Sequence, residues 1–148
     1  MRRAIVIAAA LATAAACHSA PPTPAPAPAG PSLYERLGGR PALEAVVADF
    51  VVRVTVDPRI SSFFRGVDVD HLRAKLTEQL CQVTGGPCRY TGRSMTEAHA
   101  GMKITDADFD ALVSDLVAAL NRAGVAEREK GELVGILGGL RGQIVSQH

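Results

Sequence analysis

From Ala42 to Val56 the chain reads ALEAVVADFVVRVTV, and its large apolar residues Leu43, Val46, Val47, Phe50, Val51 and Val54 recur every three or four positions. That interval places them on one face of a helix. A half-buried strand would alternate them every second residue. The many valines favour strands by propensity, but the spacing overrides them. The same interval returns in Leu72, Leu76, Leu80 and Val83, in Phe109, Leu112, Val113, Leu116, Val117 and Leu120, and in Leu133, Ile136, Leu137, Leu140 and Ile144. A chain written this way is expected to be all-α. The absence of tryptophan and the abundance of alanine, valine, leucine and glycine suit closely packed helices.

Punctuation marks the ends of these helices. Ser32 is a candidate N-cap for a short first helix that stops at Gly38-Gly39, and Pro41 suits the first turn of the second. Asp57-Pro58 ends that helix, before a turn carrying Ser61, Ser62, Phe63 and Phe64. Asp68 or Asp70 caps the third, which Thr84-Gly85-Gly86-Pro87 stops. Ser94 and Glu97 form an S-x-x-E capping box ahead of a short helix weakened by Gly101. Thr105 caps the next, which ends before Gly124. The last stripe is expected to be one helix despite glycines at 131, 135, 138, 139 and 142.

The first 31 residues are written differently. Arg2 and Arg3 precede an apolar run from Ala4 to Ala16, and no acidic residue occurs before Glu35, which is the grammar of a secretory signal. The run is short for a membrane span, although an uncleaved anchor is the rival reading. Ala14-Ala15-Ala16-Cys17 resembles a bacterial lipoprotein box. That resemblance implies a lipidated Cys17, while an alanine at 14 where leucine is usual leaves an ordinary cut after Ala16 open. The proline- and alanine-rich stretch that follows favours extended polyproline II and would space a domain about 35–40 Å from a membrane, at ~3.1 Å per residue. The expected organisation is a signal over 1–16, a linker over 17–31 and one folded domain over 32–148. The protein would then lie at the periplasmic face of a bacterial membrane, held only by lipid, or be free in the periplasm. A net charge of +1 gives no field for nucleic acid.

In an exported chain Cys81 and Cys88 are candidates for a disulfide. On one continuous helix they would lie about 10 Å apart, too far to bridge, but Gly85-Gly86-Pro87 lets the chain turn back. Two reduced thiols remain the rival. The sequence contains no G-x-S-x-G, P-loop or H-E-x-x-H pattern.

The folded part holds two histidines, His71 and His99. Met95, Ala98, His99 and Met102 share a helix face. By itself that stretch fits a core histidine with satisfied nitrogens, or a metal ligand. Two histidines and two cysteines make an odd zinc set. A haem needs one axial side chain and a large apolar slot, which suits this composition better.

The order and spacing of LYERLGG at 33–39, DFVVRVTVDPRISSFF at 49–64, LTEQLCQVTGGP at 76–87, YTG at 90–92 and SMTEAHAGMKIT at 94–105 resemble the group I truncated haemoglobins. The resemblance implies a two-over-two α-helical globin fold, haem b as cofactor, His99 as the iron ligand and Phe64 stacked on the haem. It also implies that Phe63, Leu80, Tyr90, Met95, Met102, Ile104, Phe109 and Leu112 wall the haem. Members of that family commonly carry a tyrosine and glutamines on the side facing the gas, and here those positions are Val51, Leu72 and Leu76. A donor stabilises a ligand that becomes polar on binding, such as dioxygen, so its loss should speed release by about 10- to 100-fold. Gln79, Gln82 or, at longer reach, Tyr90 are the candidate substitute donors, and His71 is a candidate second axial ligand.

The expected function is reversible binding of oxygen, nitric oxide or carbon monoxide, served by a separate reductant. The alternatives are a nitric oxide dioxygenase or peroxidase-like enzyme, which would want polar groups near the gas, and a haem carrier or electron-transfer module.

Overall fold

The structure is a computed structural model and describes residues 30–145. The expected signal, Cys17, most of the expected linker, His18 and His148 lie outside the described residues. Seven α-helices and one 3-10 turn follow in order: α1 Leu33–Arg36, α2 Gly39–Val56, the turn Ser61–Phe64, α3 Val69–Val83, α4 Met95–His99, α5 Asp106–Arg122, α6 Glu127–Gly138 and α7 Arg141–Ile144. The described residues contain no strand, in keeping with the all-α expectation.

The caps form where the sequence puts them. Ser32 Oγ accepts from the Glu35 amide while Glu35 accepts from the Ser32 amide. Asp68, rather than Asp70, caps α3 by accepting from the amides of Asp70 and His71. Ser94 with Glu97 and Thr105 with Asp108 make two further reciprocal boxes at the starts of α4 and α5. The last helix departs from expectation. It breaks at Gly139-Leu140 into α6 and α7, because adjacent glycines at 138 and 139 cost helix propensity and leave the short Arg141–Ile144 turn to continue separately.

α2 forms the centre, packing against α3 on one side and α5 on another. Leu43, Val46, Val47, Phe50, Val51 and Val54 are all buried, with Ile60, Leu80, Cys81, Leu116, Leu120 and Leu133 in the same cluster. α6 closes over α1 and α5, and Arg36 of α1 pairs with Glu129 and Glu132 of α6.

A disulfide joins Cys81, fully buried at the end of α3, to Cys88, with 5.7 Å between the α-carbons. Gly86 makes the return possible: a β-carbon there would lie 2.6 Å from the Tyr34 ring and 2.7 Å from Cys81 Sγ. The Thr84 carbonyl accepts from the Tyr34 amide, fastening α1 to the end of α3.

Candidate functional site

Beside this core, α3, α4, α5 and the Ser61–Phe64 turn enclose a cleft of ≈ 660 Å³, well within the range of small-molecule and cofactor sites. Its apolar walls include Phe63, Phe64, Leu72, Leu76, Met95, Met102, Ile104, Phe109 and Leu112, and Tyr90 and His99 also line it. The structure thus gathers residues from five separate stretches of sequence around one space.

Two expected members do not line the cleft. Val51 is 1% exposed and Leu80 is 5% exposed. Both lie in the core cluster against which Leu72 and Leu76 pack. They lie on the core-facing side of their helices, so the leucine pair of α3 forms the wall.

Further residues line the cleft that the sequence did not mark as its wall: Ile60, Val67, Ala98 and Ile144 among the apolar ones, Asp68, Lys75, Thr91, Arg93 and Asp108 among the polar ones, and Gly92. For α3 a signal existed. Asp68, His71, Leu72, Lys75, Leu76 and Gln79 fall at i, i+3, i+4, i+7, i+8 and i+11, a complete helix face. Tracing only the leucines rotates that face toward Leu80 and the core.

Most polar groups here already have partners. Lys75 Nζ donates to Glu78 and to Thr91 Oγ1. Glu78 also accepts from the Thr91 amide and hydroxyl. The Lys75 ammonium, followed by those Thr91 donors, holds the Glu78 carboxyl down at about 2. Gln82 accepts from the Tyr90 amide at 2.7 Å, and the Tyr90 hydroxyl donates to the Arg93 carbonyl at 2.9 Å. The Tyr90 hydroxyl is thus engaged as a donor, and Gln82 is exposed and does not line the cleft, so neither supplies the donor expected of it. Gln79 Nε2 donates to Met95 Sδ at 3.1 Å. Asp108 lies below the usual carboxylate range because the Thr105 amide and hydroxyl donate to it. Arg141 pairs with Asp106 and Asp110 and stacks 4.5 Å over the Phe109 ring, so α7 covers this edge of α5.

His99 ends α4, and its Nδ1 lies 2.7 Å from the Met95 carbonyl oxygen. A carbonyl only accepts, so Nδ1 carries the proton and the lone pair is on Nε2. Among the described residues Nε2 has no hydrogen-bond partner. This is the arrangement of a histidine oriented by its second nitrogen to ligate a metal through the first. His71 is exposed, in the first turn of α3, and lines the same cleft. No group of three or more metal-ligating side chains occurs among the described residues.

The family model of the bacterial-like globins matches residues 32–146. The chain belongs to the bacterial-like globins. Within them it is a group 1 truncated, two-over-two haemoglobin by its relatives. It is 38% identical over 115 residues to a group 1 truncated haemoglobin of Mycolicibacterium paratuberculosis, covering 78% of this chain and 85% of that one. It is 41% identical over 96 residues to that of Tetrahymena pyriformis, covering 65% and 79%. The crystal structure of the Tetrahymena pyriformis protein in its Fe(III) form superposes with a TM-score of 0.76 at 35% identity, over 79% of this chain and all of that one. A Synechococcus 2/2 haemoglobin, solved in the cyanomet state with covalently attached haem, superposes at 0.74 with 32% identity, over 79% and 100%. The cleft of this globin fits a haem on its own chemistry. It offers two tandem phenylalanines, sulfur and aliphatic walls, charged groups at Lys75, Arg93, Asp68 and Asp108, and two histidines, of which His99 is oriented through Nδ1 with its Nε2 lone pair unshared.

Proposed function

We propose that this globin is an exported haem b protein that reversibly binds a diatomic gas, dioxygen or nitric oxide, with His99 as the axial ligand. The observation that carries the reading is the His99 imidazole. It lines an apolar cleft and is oriented through Nδ1 by the Met95 carbonyl, with Nε2 unpaired. Haem, when bound, supplies the iron chemistry. The chain's own residues hold the macrocycle and set the polarity around the gas. Phe63, Phe64, Met102, Ile104, Phe109 and Leu112 exclude water. Leu72 and Leu76 offer no hydrogen bond to a bound gas, and the polar side chains Lys75, Gln79 and Tyr90 are engaged with protein partners. Rapid dioxygen release follows, and a separate reductant keeps the iron ferrous.

Nitric oxide dioxygenase and peroxidase-like chemistry rank behind this reading because α3 presents leucines where those reactions want donors. One observation favours the electron-transfer alternative: His71 lines the same cleft, and a second axial histidine would suit electron exchange better than gas binding. Absorption spectra of the purified protein in ferric, ferrous and carbon-monoxide-treated ferrous states separate these cases. A Soret band with high-spin ferrous features supports gas binding, a low-spin ferrous spectrum favours His71 ligation, and no haem uptake overturns the haem reading.

Placement at the cell envelope rests on Arg2, Arg3, the apolar run to Ala16 and Cys17. Cys17→Ser should move the protein from the membrane fraction to the soluble one, and a wild type already soluble rules out the lipid.

A further inference from the structure

α4 is five residues long, far below the length at which a helix stands alone. Yet it carries the histidine on which the proposed haem site depends. Its own capping box fixes its first turn: Ser94 Oγ accepts from the Glu97 amide, and Glu97 accepts from the Ser94 amide and hydroxyl. That box is internal and does not fix where the helix sits, which its packing against α7 helps to set. Among the described residues, one hydrogen bond ties α4 to another helix, from Gln79 Nε2 on α3 to Met95 Sδ at 3.1 Å. Met95 is also the residue whose carbonyl accepts from His99 Nδ1 at 2.7 Å. One residue therefore takes a hydrogen bond from α3 through its thioether and orients the histidine through its carbonyl.

Resting on the haem reading above, we propose that Gln79 is a positioning residue for the iron ligand. By holding the Met95 side chain it fixes how the first turn of α4 sits against α3, and with it the placement of the carbonyl that sets the angle and basicity of His99. A hydrogen bond to Nδ1–H raises the electron-donating power of Nε2. Loosening Met95 lengthens that bond and weakens the iron–histidine bond. Gln79, one of the polar residues on the α3 face of the cleft, is thus coupled to the opposite nitrogen of the ligand without touching the iron. Gln79 is intermediate in exposure, at the C-terminal edge of the face that also carries Asp68, His71, Leu72, Lys75 and Leu76. A carboxamide there is accounted for by the thioether it meets. Thioether sulfur is a weak acceptor, so the contact acts on geometry more than on stability.

The test is the iron–histidine stretching band in the resonance Raman spectrum of the ferrous protein with no added gas, so that no distal ligand contributes. Gln79→Leu removes the donor, and Met95→Leu removes the acceptor while keeping the carbonyl and the apolar bulk. Each is expected to move the band to lower frequency. Each should also speed haem transfer to a scavenger globin by about two- to fivefold, with unchanged far-UV circular dichroism. The double variant should move the band no further than either single one. An unmoved band in Gln79→Leu overturns the proposal, and so does a shift in Gln79→Leu without one in Met95→Leu. Should the wild type take up no haem, the haem reading fails, and the brace is tested separately on the haem-free chain. There the exchange rate of the His99 Nδ1 proton by NMR must rise in both variants, and an unchanged rate overturns it. If Gln79→Leu does not fold, Met95→Leu alone decides on the same readouts.

Discussion

The core between α2 and α5 and the cleft between α3 and α4 are built on different principles. In the core, long helices present continuous apolar stripes, and Leu43, Val47, Val51, Val54, Leu120 and Leu133 are no more than 1% exposed. Burying each such side chain contributes roughly 1.5–3 kcal/mol. Around the cleft, Phe63, Phe64, Leu72, Leu76, Met95 and Met102 are only half-buried. The elements are a 3-10 turn, a five-residue helix and a loop from Gly85 to Arg93. No stripe is long enough to hold them. The turn rests on α2 and α4 on α7, and directed contacts do the rest: the Ser94–Glu97 capping box, the Cys81–Cys88 bridge and a row of α3 side chains, Lys75, Glu78 and Gln82, that grip Tyr90 and Thr91. The difference teaches that stability and function are divided here. Packing makes the scaffold, and directed polar contacts place the functional groups against it.

The sharpest way to break that division is His99→Ala. It should abolish the Soret band altogether, and free imidazole should restore it, while helix content by circular dichroism stays at the wild-type level. A collapse of helix content would show that the two regions are not separable.

Leu120→Ala is the reverse test. Leu120 is fully buried in the core and does not line the cleft, so the substitution should cost about 2–5 kcal/mol in denaturant unfolding. The absorption spectrum of the folded fraction should be unchanged. A cost below about 1 kcal/mol would mean the core relaxes around the gap.

Leu72→Gln puts a donor on the α3 wall. Stopped-flow dioxygen release should slow by about tenfold, the value of one net hydrogen bond. An unchanged rate means another group already donates. Tyrosine at 51 would be a poorer probe, because Val51 is enclosed in the core and the larger ring would overpack it.

The smallest effect concerns acid. Glu78 titrates at about 2 in the folded chain against 4.5 ordinarily, chiefly through Lys75 and then Thr91. Its depressed value means its contribution is complete above about pH 4.5 and is lost as pH falls toward 2. Haem release measured through that window should steepen in the wild type more than in Glu78→Gln, where the group does not titrate. Equal acid profiles would show that the Thr91 loop is held by other contacts.

The long helices were legible from sequence because their spacing is a local consequence of the side chains they carry. The caps at Ser32, Ser94 and Thr105 were legible for the same reason, since each pairs with a residue three positions away. Residue chemistry alone left His99 open between a core histidine and a ligand, and the resemblance to truncated haemoglobins gave it the ligand's role, with His71 a candidate second ligand. What misled was the phase of α3. Leu72, Leu76 and Leu80 form a sequence stripe, yet Leu80 turns to the core while His71, Lys75 and Gln79 share the cleft with the other two.

The sequence by itself determined that the chain is helical, where most helices start and stop, and that Cys81 could return to Cys88 only through a glycine turn. Only the tertiary structure decided which side of α3 faces the cleft, that Gln82 and Tyr90 are engaged elsewhere, and that Gln79 reaches Met95. The reason is range. Helical period and capping act over three or four residues, whereas the contact from α3 to Met95 spans sixteen. Such contacts exist only after the core has fixed how α3 and α4 approach.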